Sequence, residues 1–468
     1  MGMRRSMAIL SARALSFFCR LAGKQGVTMA GKLALKMDPE ILRDLSAQVR
    51  GKIIVTCGTN GKTTTNNLIA DAIEAQGLKT VCNRTGSNML MGVAAAFVLS
   101  ASLTGKLDAD YAVIEIDEAS AKRVFPHFRP DLCVLTNLFR DQLDRYGEID
   151  ITMNLLKEAM DMAPEMTILV NGDDALSAFL AQESGHRVVT FGISEQVLQE
   201  TGSAEIREGQ FCKRCGARLE YDFYHYSQIG VYHCPECGFA RPAIDFDACH
   251  VSLADGLSFD VKESGTGAAG AAGASGSGTA AALRHLHANY RGFYNIYNIL
   301  AAYAAMRTLS LPTDRFDQML DEYSPENGRN ELFTIGKSRV LLNLAKNPAG
   351  FNQNITALFE DPEKKDLIIV INDNAQDGTD ISWLWDVDFD RLDDPSVASI
   401  TVSGIRCLDM RLRLKYVGMQ ADLIADVKEA IRARLSDGCG NLYVLVNYTA
   451  LYSTHNILKA MEKEAGGA

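Results

Sequence analysis

At 468 residues, 47% hydrophobic and 22% charged, the chain has the composition of a globular protein of two or three domains. Its formal net charge of −11 argues against general nucleic-acid binding, and no apolar run approaches the roughly 18–20 residues of a transmembrane segment. Eleven cysteines, an odd number without a secretory signal, suggest a reducing compartment instead of a disulfide framework.

Residues 1–50 read as a helical N-terminal segment. Residues 1–37 carry Arg4, Arg5, Arg13, Arg20, Lys24, Lys32 and Lys36 and no acid, with Ile9, Leu10, Leu15, Phe17, Phe18 and Leu21 interspersed. Arg13 and Arg20 interrupt any signal-peptide core. The pattern is that of an amphipathic helix, either packed on the body of the protein or touching a membrane surface. From Lys52 apolar runs alternate with helical segments. "KIIVTC", "YAVIEI", "PDLCVLTN" and "MTILVNGDD" are near-continuous apolar strands, which implies a parallel sheet covered on both faces over residues 51–318. Two interruptions fall inside this domain: a Cys- and Tyr-rich insertion over 207–242 and a Gly/Ala/Ser segment over 263–283 that reads as a flexible loop. A second, smaller α/β domain spans 319–468, with "RVLLNLA", "DLIIVIND", "SITVSG" and "NLYVLVN" as its strands.

The stretch "VTCGTNGKTTT" places a Gly-rich turn between a strand and a helix. Its backbone N–H groups from Gly58 to Thr63, through Thr59, Asn60 and Gly61, can cradle phosphate oxygens, because glycine allows a tight turn and close approach to a ligand. Lys62 should reach the terminal phosphates of ATP, and the Thr63 hydroxyl should ligate Mg2+. The full G-x-x-x-x-G-K-[ST] pattern is not met, since Thr56 stands at the first glycine position. "VIEIDEAS" supplies Glu115, Asp117 and Glu118 as candidate metal ligands. Glu115, at the end of its apolar run, is favoured, against the plainer reading of a strand-end carboxylate. In the insertion, Cys212, Cys215, Cys234 and Cys237 have the spacing C-x2-C-x18-C-x2-C of a two-knuckle tetrahedral Zn2+ site. With four thiolates no position stays open for catalysis, so the zinc would be structural; unliganded thiols or an iron–sulfur cluster are the alternatives.

These blocks resemble the Mur ligase family. The loop "GTNGKTT", Gly58 to Thr64, matches that family's GTxGKTT. "TNLFRDQLDRYG", "NGDD", "GFYNIYNILAA", "NGRNE" and "LNLAKNPAG" follow in family order, covering the chain from about residue 50 to its end. The resemblance implies a Mur ligase-like P-loop ATPase domain and a C-terminal Rossmann-like α/β domain. It also implies an adenine contact from Asn295 and a nucleotide-site role for Arg329 of "NGRNE". The chain departs from the pattern at Gln142, Tyr294, Asn343 and Lys346, where the family has His, His, Asp and His, which puts the usual second metal site in doubt. The usual N-terminal UDP-sugar domain is also missing. The cysteine insertion and "NDNAQDGTDISWLWDVDFD" resemble the amidating, MurT-type branch of the family.

That branch implies ATP-dependent amidation of the D-Glu α-carboxyl of the lipid II stem peptide to D-isoglutamine through an acyl phosphate, with Lys62 and Glu115 in the ligase site. It implies a cytoplasmic protein working beside the inner face of the membrane, with no transmembrane segment and no nucleic-acid partner. No cysteine of this chain sits in a glutaminase Gly-x-Cys-x-Gly elbow. The resemblance supplies a separate GatD-type glutaminase subunit, forming a heterodimer, and places Asp380 of "DGTDISW" at that partner's Cys–His pair. A helix cap for "ISWLWD" is the plain reading of the same residue, and a place in the ligase site is a third. Two rival functions are a Mur- or folylpolyglutamate-type ligase joining an amino acid to a carboxylate, and a zinc-ribbon regulatory protein with a degenerate ATPase.

Overall fold

The computed structural model describes all residues except 1, 22–25, 141–148, 199–207, 255, 265–282, 324–327, 375–376 and 467–468. Gln142 and most of the Gly/Ala/Ser segment therefore lie outside the described residues.

The strands in chain order are β1 (Ile53–Cys57), β2 (Thr80–Cys82), β3 (Tyr111–Glu115), β4 (Leu132–Leu135), β5 (Thr167–Asn171) and β6 (Arg187–Ile193). A hairpin of β7 (Glu220–Tyr226) and β8 (Ile229–His233) follows, then β9 (Phe246–Ser252), β10 (Leu257–Glu263) and β11 (Arg284–Ala288). The order in the first sheet is β11-β10-β9-β6-β5-β4-β1-β3-β2, parallel from β2 through β9 and antiparallel at β9–β10–β11. All five residues of β1 are buried, as a central strand covered on both faces requires. One face is covered by helices of the N-terminal segment and by Leu90–Ser100, with Ile9, Ala34, Leu42 and Phe97 in a shared core. The helices Lys62–Ala75 and Tyr294–Thr308 cover the other, with Ile69, Ile73, Ile296 and Leu300 in a second core. The helix Phe316–Glu322 adds Phe316, Met319 and Leu320 to this second core.

The second sheet contains β12 (Glu331–Ile335), β13 (Ser338–Leu344), β14 (Lys365–Val370), β15 (Val397–Ser403), β16 (Asp422–Leu423) and β17 (Asn441–Val446). Its order is β12-β13-β17-β14-β15-β16, parallel except for the β12–β13 hairpin. Parallel strands joined by helices, hydrophobic throughout, give the α/β architecture that the periodicity predicts.

The "NGDD" turn ties the insertion to the first sheet. Asp173, fully buried, accepts from Ile193 N at 2.7 Å, Tyr297 Oη at 2.7 Å and Arg241 Nε at 2.6 Å. Asp174 caps the helix Ala175–Gln182 and accepts from Leu138 N at 2.8 Å and Gln228 Nε2 at 2.9 Å. Two adjacent buried carboxylates thus satisfy donors from five separate segments, as buried charge demands.

Candidate active site

The phosphate loop follows β1 and opens the helix Lys62–Ala75. Gly58 and Gly61 both have positive φ, 120° and 82°. A Cβ at Gly61 would lie 2.3 Å from Asn298 Oδ1, and one at Gly58 would lie 2.2 Å from Thr136 Oγ1, so neither position accepts a side chain. The segment after β4 locks the loop from outside. Asn137 O accepts from Thr59 N at 2.8 Å, Asn137 Oδ1 accepts from Asn60 N at 2.9 Å, and Thr136 Oγ1 donates to Asn60 O at 2.8 Å. Gly58 N donates to Glu118 Oε1 at 2.9 Å. The N–H groups of Gly58, Thr59 and Asn60 thus hold the loop's own shape. The donors best placed for an anion are those at the start of the helix, which have no partner within it.

Lys62 is 7% exposed. Its ammonium sits 2.9 Å from Glu118 Oε1 and donates to the carbonyls of Gly58 and Thr59. Burial pushes its pKa down, but the carboxylates of Glu118, Glu115 and Asp117 outweigh that and raise it, so Lys62 stays charged. Glu118, weighed beside Glu115 as a metal ligand, has this second task of bracing Lys62 and Gly58. Thr63 Oγ1 donates to Glu115 Oε2 at 2.6 Å and accepts from Arg329 Nη2 at 2.9 Å. Asn88 Nδ2 fixes the other oxygen, Glu115 Oε1, at 2.8 Å, and Asn83 Nδ2 bonds the Glu115 carbonyl at 2.8 Å. A carboxylate and a hydroxyl held side by side on rigid elements form an oxygen donor set of the kind a hard divalent cation takes.

Lys62, Thr63 and Glu115 line a cavity of about 300 Å3, within the range of small-molecule sites. Thr59, Asn60, Gly61, Thr64, Asn295 and Arg329 line it too, so the nucleotide-site candidates from the sequence reach one space, except Gly58, which lies behind it with its N–H on Glu118. Asn295 is held by Asn298 Nδ2 at 2.9 Å, and it donates to Arg291 O at 2.9 Å. The far wall belongs to the second domain, with Asn343, Lys346, Gln353 and Tyr448. Hydrogen bonds also join the two domains. Asn347 Nδ2 donates to Asn60 Oδ1 at 3.1 Å, and Glu360 accepts from Gly292 N at 2.9 Å and Phe293 N at 3.2 Å. Asn347 and Asn298 were not singled out as binding residues in the sequence, and Glu118 was named there as a candidate metal ligand, not as the partner of Lys62. Only the N-x-x-N spacing of Asn295 and Asn298, one helical turn apart, carried a signal for either asparagine.

Asp380 is not among the cavity-lining residues. It is exposed, and its Oδ1 accepts from Ser382 N at 2.8 Å at the head of the short 3-10 helix Ser382–Asp386. That N–H, together with the Ser382 hydroxyl, lowers its pKa, so it is ionised at neutral pH. Arg140 bridges toward it, 3.5 Å from Asp386 Oδ2. In the insertion the four cysteine sulfurs lie within 4.8 Å of one another, with Cys212–Cys237 and Cys215–Cys234 at 3.5 Å. Gly216 and Gly238 follow the two pairs with φ of 78° and 73°, turning the chain so that Cys212 O and Cys234 O accept their N–H groups. This is a closed four-thiol cluster with the spatial grouping a tetrahedral metal needs.

A phosphate loop on a parallel sheet, facing a second α/β domain across a nucleotide-sized cavity, defines a Mur-type ligase. The description "Mur ligase middle domain" matches residues 55–229 and "MurT ligase C-terminal" matches residues 344–451. The chain is 34% identical over 451 residues to the lipid II isoglutaminyl synthase (glutamine-hydrolyzing) subunit MurT of Staphylococcus aureus strain COL, covering 96% of each chain. It is 32% identical over 479 residues to the subunit of that name in Streptococcus pneumoniae, covering 99% of this chain and 98% of the relative. The chain belongs to the MurT family. In fold it is also similar to a pseudomurein peptide ligase type C from Methanothermus fervidus, with a TM-score of 0.67 at 21% identity over 89% of this chain and 80% of that one. MurF from Acinetobacter baumannii gives a TM-score of 0.63 at 16% identity, over 92% and 80%.

Proposed function

We propose that the chain is the ATP-consuming subunit of a lipid II isoglutaminyl synthase. It amidates the D-Glu α-carboxyl of the lipid II stem peptide, with ammonia that a separate GatD-type glutaminase subunit releases from glutamine. The observation that carries this reading is the joining of near-full-length MurT similarity to a cavity in which Lys62, Thr63, Glu115 and Arg329 converge.

A carboxylate is a poor electrophile at neutral pH. Transfer of the γ-phosphoryl group of ATP to one carboxylate oxygen makes an acyl phosphate and ADP. Ammonia then adds to the carbonyl carbon, the C–O bond to phosphate breaks, and inorganic phosphate leaves as the amide forms, with one proton released from nitrogen. The helix start and Lys62 set fixed positive charge where the phosphoryl oxygens gain negative charge, chiefly an electrostatic and positioning task. Before nucleotide binds, Glu118 keeps Lys62 ionised, so a charged donor is ready to exchange a carboxylate oxygen for a phosphate oxygen. Glu115 and Thr63 suit Mg2+, which when bound would neutralise phosphate charge. The family supports ATP as the phosphoryl donor, and the four thiols support one structural Zn2+. Asp380, exposed and ionised, suits a partner's histidine: it would hold the imidazole in one tautomer and stabilise its cation.

The deciding experiment supplies ATP and lipid II with ammonium, with glutamine plus the glutaminase subunit, or with amino acids, and reads the product mass. Replacement of a carboxyl OH by NH2 in the first two reactions is the expected result. An amino-acid adduct would make the chain a conventional amide ligase, and absence of any ATP-dependent product would refute both.

A further inference from the structure

The helix Gly2–Leu21 is clamped to the body along one face. Ala8, Ile9, Ala12 and Ser16 are buried, Arg5 pairs with Asp38 and Asp44, and Arg13 donates to Leu99 O at 3.2 Å. Its other face is apolar and open: Met3, Met7, Leu10, Phe17, Phe18 and Leu21 are 55–82% exposed. With exposed Ala14 they step by three and four residues, which makes one continuous stripe about 27 Å long at 1.5 Å per residue. Contiguous exposed apolar surface on this scale marks an interaction site.

Charge says what covers it. In a chain of net charge −11, residues 1–37 hold seven cations and no acid. The next helix, Val27–Met37, presents exposed Met29, Lys32 and Lys36 along one side. Gly31 lets that helix press against the segment beyond it, since a Cβ there would lie 1.7 Å from Met91 O. Thr28 at its start and Met89 line the cavity, and Thr28, Met89 and Met91 are all exposed. A second copy of this chain fits poorly, because it would bring the exposed Lys32 and Lys36 of two acid-free Val27–Met37 helices together.

We propose that this face seats on a bilayer surface containing anionic lipid. The Met3–Leu21 stripe lies at the acyl boundary, Lys32 and Lys36 lie at headgroup phosphates, and the cavity lining at Thr28 and Met89 lies beside the membrane. The benefit to catalysis rests on the reading that the substrate is lipid-borne; the binding itself does not.

The test uses the full chain with its glutaminase partner, sedimented with phosphatidylcholine vesicles with and without phosphatidylglycerol. Co-sedimentation with the anionic vesicles is expected, weakening as salt screens the lysines. Phe17→Ser/Phe18→Ser should lower that partition by about 10-fold or more, since both rings lie on the membrane face. The same variant should amidate a water-soluble stem-peptide substrate at the wild-type rate. No binding to anionic vesicles, or binding that ignores the double variant, would overturn the proposal. A dimer in gel filtration that the variant dissolves, without vesicle binding, would overturn it in favour of self-association. Failure of the wild type on the soluble substrate, with vesicle binding intact, would count against the functional reading alone.

Discussion

Lys62 is buried, paired with Glu118, and surrounded by a loop whose N–H and C=O groups are tied to Thr136 and Asn137. Asp380, in the other domain, is exposed and oriented by Ser382 at the start of a single short 3-10 turn. The difference is between a site organised entirely within one chain and a charged group left open at the surface. A buried cation needs a counter-charge from its own fold, or it loses its proton. An exposed carboxylate keeps its charge by facing water, with Ser382 N bonded to its Oδ1.

The largest expected effect tests the open group. Asp380→Asn should lower glutamine-driven amidation, measured with the glutaminase present, by up to about 10⁴-fold, as loss of the charge that stabilises an imidazolium does in hydrolytic triads. Ammonium-driven amidation should be retained, because Lys62, Thr63 and Glu115 are untouched. Loss of both activities in a folded complex would move Asp380 to the ligase site and erase the contrast.

The enclosed site comes next. Lys62→Ala should reduce ammonium-driven turnover by about 10²–10³-fold, the usual loss for one preorganised charged contact. It should also destabilise the fold by about 3 kcal/mol, because Glu118 is left buried without its cation. In urea titrations Lys62→Ala/Glu118→Gln should recover most of that stability and none of the activity. Full activity in either variant would remove Lys62 from the phosphate site.

Cys234→Ser should abolish the binding of one zinc per chain, read by metal analysis. It should change ammonium-driven turnover by less than about 3-fold, since distant sites act nearly independently. An iron chromophore or a metal-free wild type would refute the zinc assignment. The smallest effect sharpens the boundary between the domains: Asn347→Ala removes the hydrogen bond to Asn60. It should raise the KM for ATP by about 5-fold, near 1 kcal/mol, leaving glutaminase activity of the complex unchanged.

Much of the phosphate site was readable because its parts are close in sequence. Gly58, Gly61, Lys62 and Thr63 form one turn, and the glycines are required by positive φ and by the 2.2–2.3 Å approaches of Thr136 and Asn298. The partner of Lys62 was not readable. Glu118 and Glu115 lie three residues apart in one acidic run, and only the path of the chain after β3 turns one toward Lys62 and the other toward Thr63. The expectation that every N–H from Gly58 onward serves phosphate met a similar limit, since three of them are bonded to Glu118 and Asn137, 60 and 77 residues away.

Local order in this protein follows from its sequence alone. Apolar runs of strand length alternate with helical spacings, a glycine turn is followed by Lys-Thr, and two C-x2-C knuckles recur. Each is a short-range pattern in which backbone geometry and side-chain periodicity leave one sensible outcome. The tertiary structure alone decided the strand order of the two sheets, the bracing of the loop by Thr136 and Asn137, and the closing of the cavity by Asn343, Lys346 and Tyr448. It also decided that Phe17 and Phe18 face outward while Ile9 and Ala12 pack inward. An amphipathic pattern tells how a helix is divided, but which side meets the body depends on the volume and polar partners that distant segments bring to it.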